Sequence, residues 1–148
     1  MNSSDIQVHA IRVKPHDGPL TAPLRLEIDY SSSAALARPL WSLQFVADVA
    51  ATRHVVSLLE QEAAEPIDAH QRVTFVFETA QLLPEAEVAG REDTLLNMAM
   101  LSAMLHDTEP KELPLLTINF IVAVTKGENG ELQREIYNPL EENTVSAA

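Results

Sequence analysis

The chain has 148 residues, 22 acids against 10 bases and a formal net charge of -12. That length suits one domain with an ordinary core. The charge argues against a phosphate backbone as partner, because nucleic-acid affinity comes from clustered Lys and Arg. No cysteine is present, which excludes disulfides, thiolate metal sites and a cysteine nucleophile, and fits a reducing compartment. No stretch approaches the ~20 apolar residues of a membrane span, and the N-terminus does not read as a signal peptide. A soluble protein of the cytoplasm or nucleus is expected. The acids are spread along the chain, which serves solubility and can also steer a basic protein partner.

In chain order, Asp5 to Val13 reads as a strand in which neither alternating set is cleanly polar. Lys14 to Ala22, with two prolines and a glycine, reads as a loop. Pro23 to Tyr30 is the cleanest half-buried strand, with Leu24, Leu26, Ile28 and Tyr30 inward and Arg25, Glu27 and Asp29 in water. After a small-residue connection, Trp41, Leu43 and Phe45 face in, and Ser42, Gln44 and Val46 face out. His54 to Glu62 leans to strand because β-branched Val55 and Val56 begin it. Pro66 to His70 is a turn, and Arg72 to Glu78 is a strand.

Leu83 to Gly90 suits a short helix, with Pro84 in its first turn and Gly90 as its stop. Arg91 to Asp107 is the long helical candidate. It has strong helix formers, no interior Gly or Pro, and acids at its start. Its apolar residues, among them Met98, Met100, Leu101 and Met104, run almost all the way round. Such a helix is either well covered or a contact surface, and methionine adapts to irregular partners.

Leu113 to Tyr137 then reads as a hairpin. A long apolar run meets Lys126-Gly127-Glu128-Asn129-Gly130, and a shorter strand returns. Leu116, Ile118, Phe120, Val122 and Val124 share one side; Leu115, Thr117, Asn119, Ile121 and Ala123 share the other. Period 2 gives this arm a core face and a free face. Asn138 to Ala148 is a polar tail. These strands and turns point to an all-β sandwich carrying one or two short helices. It forms one domain over residues 1-140, with a flexible tail at 141-148.

Catalytic and metal signatures are missing. The five histidines show no i, i+4 spacing and no HExxH. No phosphate loop, dinucleotide fingerprint or nucleophile elbow occurs. Glu85 and Glu87 lie two apart and so diverge on a helix. A binding protein with neither cofactor nor metal is expected, not an enzyme.

The order of these pieces resembles the anti-silencing-function family of histone chaperones. Ile6 to Ile28 is similar to that family's opening strand pair; Leu40-Trp41 resembles its Leu-x-Trp strand start. Arg72 to Glu78 (RVTFVFE) resembles its Phe-Val-Phe strand, Leu82 to Gly90 its Ile-Pro-Asp-Ala-Asp segment, and the final hairpin its last two strands. The resemblance implies an immunoglobulin-like sandwich that binds the tetramer-forming pair of core histones. The outer face of the last hairpin and a neighbouring strand would cover an apolar histone helix, and a histone tail strand would add to an exposed edge.

The contact positions it implies are Val46, Leu115, Thr117, Asn119, Arg134 and Tyr137. The family's central valine falls on Thr117 or Ile118, and alternation favours Thr117, since Ile118 points inward. The last-strand arginine falls on Arg134, although strict alternation would put Gln133 there. Ala37-Arg38-Pro39 replaces the family's acids before the tryptophan, and its histone-pairing aspartate falls near Val55 or Val56. Residues 91-112 read as a helical insertion beside the binding strand. An alternative follows: a sandwich of the same fold that binds a non-histone partner through a Met-rich helix at 94-106, using Met98, Met100 and Leu101. The resemblance places the protein in the nucleus, with the cytoplasm as a second location. It is expected to be monomeric alone.

Overall fold

The computed structural model describes residues 6–47, 54–62, 65–83, 95–107 and 114–140. These form nine strands: β1 (Ile6–Lys14), β2 (Asp17–Pro19), β3 (Leu24–Ser32), β4 (Pro39–Ala47), β5 (His54–Glu62), β6 (Val73–Thr79), β7 (Asn97–Asp107), β8 (Leu116–Lys126) and β9 (Leu132–Ile136). They build a three-stranded sheet, β1-β3-β6, and a six-stranded sheet, β2-β9-β8-β7-β4-β5. Every strand pairing is antiparallel. The two sheets are arranged as a sandwich, and one apolar cluster joins their inner faces.

Alternation explains most of the core. On β3, Leu24, Leu26, Ile28 and Tyr30 are all buried, and the residues between them are half-exposed. On β8, Ile118, Phe120, Val122 and Val124 are buried opposite Ala103, Leu101, Ala99 and Asn97 of β7. Trp41 of β4 reaches across the sandwich and stacks on Phe75 of β6, with ring centroids 4.7 Å apart. Tyr30 meets the same indole edge-on at 5.4 Å and accepts a hydrogen bond from Trp41 Nε1. Such pairs add about 0.5–1.5 kcal/mol beyond the area they bury.

β1 owes its mixed pattern to a bulge between Val8 and Ala10. An extra residue switches the parity of a strand. Here it lets Ile6 and Val8 pack against the core from one side of the bulge, and Ile11 and Val13 from the other. The spare residue, His9, hydrogen-bonds the Ser31 hydroxyl through Nε2 at 2.8 Å.

Three expectations change. The Met-rich segment is not a helix: residues 97–107 are β7, paired with β4 on one side and β8 on the other. A strand with one buried face and one partly apolar face reads as a continuous apolar run, which periodicity cannot separate from a helix. Pairing on both flanks then overrides the modest helix preference of Met, Leu and Ala. Secondly, the loop at 14–22 contains β2, which pairs with β9 through Asp17, Gly18 and Pro19. Thirdly, no helical element lies among the described residues; the short helix expected at Leu83–Gly90 falls, past Leu83, outside them, as does the tail from residue 141. No helix among the described residues is long and apolar enough to cross a membrane.

Candidate functional site: the outer face of the six-stranded sheet

The two outer faces differ in kind. On the three-stranded sheet, charged groups saturate one another. Arg12 bonds Glu27 and Asp29, and Arg25 bonds Glu27 and Glu78. The Thr74 hydroxyl donates to Asp29 at 2.6 Å.

On the six-stranded sheet the register lines up an apolar row instead. Val55 of β5 pairs with Val46 of β4, Val46 with Met100 of β7, and Met100 with Ile121 of β8. The Ile121 carbonyl accepts the Tyr137 backbone N–H at 2.9 Å, which places Tyr137 at the far end. Val55, Ile121 and Tyr137 are 44%, 44% and 48% exposed, and Met98, one row over, is 51% exposed. Strands lie about 4.8 Å apart, so the five positions span about 19 Å across the sheet. That length matches about 13 residues of helix.

The row on the side away from Met98 is polar. Ser102 donates to Asn119 Oδ1 at 2.9 Å across β7 and β8, with Gln44 on β4 as the next partner. Both ends of the face carry acids: Glu60 on β5, and Glu135 on β9 directly opposite Asp17 of β2. Directly opposed carboxylates repel, so this corner favours a cation. Among the described residues no cluster of His, Cys, Asp or Glu could hold a metal ion.

The expected contact residues divide on this geometry. Thr117 and Asn119 lie exposed on the outer face, and Tyr137 borders it. Leu115 shares their parity but is half-buried, packed against the core. Val46 is on the expected face, yet only 1% exposed: it is covered within the row, between Val55 and Met100 and outside the main core cluster, instead of standing free. Arg134 is a correction. It alternates inward opposite Val124, is 2% exposed, and serves the fold. Its guanidinium donates to the carbonyls of Pro15, Leu20, Ala22 and Pro23 and so ties the loops flanking β2 to β9. Burial lowers its pKa, and the nearby Asp17 charge opposes that shift. Gln133 takes the outward position. Leu101 is also corrected: it faces the core opposite Phe120 and Phe45 and is fully buried. Met98 and Met100 lie on the outer face, on a strand and not on the expected helix.

Ile121 and Val55 complete the row, and they were not singled out as contacts. Ile121 was legible as a free-face residue, but its partners across the sheet were not, because register between distant strands leaves no local mark.

A recess of about 260 Å³ lies beside β6, over Tyr30, Trp41, Phe75 and the 65–71 loop. An isolated bridge between Leu36 and Ile67 pins that loop. No model of a known protein family matches the chain, and a search of curated proteins finds no match.

Proposed function

We propose that this protein is a histone chaperone-like binding protein with an immunoglobulin-like sandwich, and that it engages the tetramer-forming pair of core histones through the outer face of the six-stranded sheet. The observation that carries this reading is the apolar row Val55–Val46–Met100–Ile121–Tyr137, on a face that carries acids at Glu60 on one side and Glu135 on the other. Such a face suits a partner that offers an apolar helix with basic flanks. The mechanism is shielding: the chaperone covers the surface through which two histone dimers would pair, and catalyses nothing. The nucleus is the proposed location, with the cytoplasm as the second.

Mixing the protein with the histone pair on a size-exclusion column at moderate salt tests the proposal. Co-elution that weakens as salt rises is the expected result. Separate elution at moderate salt would refute histone binding. A second reading has its own support: the centre of the face is methionine, which repacks against varied partners. On that reading a non-histone protein occupies the same row, and Met98→Asp abolishes that contact while the histone pair elutes alone.

A further inference from the structure

Apart from Met1, the chain's methionines are Met98, Met100 and Met104. All three sit on β7 at positions of one parity, and all three look outward. Met98 lies opposite Ala123; Met100 lies opposite Ile121 and Val46; Met104 lies opposite Thr117 and Ser42. The inward positions of the same strand hold Ala99, Leu101, Ala103 and Leu105, which are buried and carry no sulfur. Sulfur is thus concentrated on the middle strand of the candidate docking face and absent from the inner side of that strand. Met98 is half-exposed and Met100 and Met104 are partly so, within reach of a small solute.

We infer that this methionine ladder is a reversible oxidation site that governs occupancy of the face. The oxidant is a peroxide. A thioether lone pair attacks one oxygen of hydrogen peroxide, the O–O bond breaks, an S–O bond forms, and the second oxygen leaves as water. Sulfur loses two electrons and peroxide gains them. The product replaces an apolar side chain with a polar, hydrogen-bond-accepting sulfoxide. An apolar partner element must then desolvate that oxygen without compensation, which lowers its affinity about tenfold. The inner core contains none of these sulfurs, so the sandwich survives. A thiol-dependent sulfoxide reductase restores the thioether. The consequence for partner release rests on the proposed function; the oxidation site itself does not.

The test treats the full chain with dilute hydrogen peroxide and follows it by peptide mass mapping, circular dichroism and hydrophobic-interaction chromatography. Met98 is expected to gain oxygen before Met100 and Met104, the β-sheet spectrum to persist, and column retention to fall. Sulfoxide reductase with thiol should reverse the retention change. The triple variant Met98→Leu, Met100→Leu, Met104→Leu should keep its retention in peroxide. Affinity for the histone pair should fall about tenfold on oxidation of the wild type, while peroxide should leave the triple variant at its own untreated affinity, whatever that is. Loss of the native spectrum as the first oxygen is added, or unchanged retention once Met98 is oxidised, would overturn the inference. Failure of the untreated protein to bind histones would overturn the histone reading, while mass and retention would still decide the oxidation site.

Discussion

Arg134 shows how a cation in an apolar interior becomes a structural clamp. Its guanidinium spans four backbone carbonyls, of which that of Ala22 also accepts the Leu82 N–H, and losing such donors to partly buried carbonyls costs stability. Arg134→Ala is expected to destabilise the fold by about 3 kcal/mol, since unmet buried polar groups cost about 1–3 kcal/mol each and water reaches some of them. Urea unfolding measures this; a loss of partner binding with unchanged stability would contradict the clamp. Arginine on a last strand invites a surface role, and only its parity, buried Leu132 and Ile136 at the same spacing, betrayed it in the sequence. Trp41 is the other residue-scale anchor. Trp41→Ala removes the stack on Phe75 and the bond to Tyr30, with an expected loss of about 3–5 kcal/mol.

At the scale of elements, strands with strict alternation were legible. β3 and β8 carry their buried face openly, and the turn at 127–130 marks the β8–β9 hairpin. Gly130 has φ +86° there, so Gly130→Ala should cost about 1 kcal/mol through backbone strain alone. Thermal unfolding with and without that change gives the number. β1 and β7 were less legible for physical reasons that differ. A bulge changes parity in mid-strand, so β1 shows no single period. β7 sits inside a sheet with a buried inner face and an outer face that is itself apolar at Met98 and Met100, so its pattern mimics a helix. Its Ala99, Leu101, Ala103 and Leu105 set did alternate, but Met98, Met100 and Met104 filled the gaps.

At the scale of the whole molecule, the sandwich presents two unlike faces. The three-stranded sheet is closed by its own ion pairs. Hydrogen bonds from Arg12 and then Arg25 hold the Glu27 carboxyl below the usual range. The Thr74 hydroxyl, and then Arg12, do the same for Asp29. A depressed folded-state pKa stabilises the protein above the unfolded value, about 4, and that contribution is lost as pH falls through the folded value. Resistance to urea should therefore drop on acidification below about pH 4, less steeply for the Glu27→Gln, Asp29→Asn variant. An identical acid limb in that variant would mean these groups do not set the limit.

The free face of the last hairpin was readable from Thr117, Asn119 and Ile121. Its extension over β7, β4 and β5 needed the sheet order, which no local pattern encodes.

We propose that the apolar row on the six-stranded sheet is the binding face. The most direct test compares Ile121→Arg with Val76→Arg by titration against the core histone pair. Both residues are exposed β-sheet apolar positions, at 44% and 37%, on opposite faces of the sandwich. Ile121→Arg should weaken binding at least about a hundredfold, nearly 3 kcal/mol, with an unchanged unfolding midpoint, and Val76→Arg should bind as the wild type does. Equal affinities for the two variants, or a loss confined to Val76→Arg, would contradict the claim.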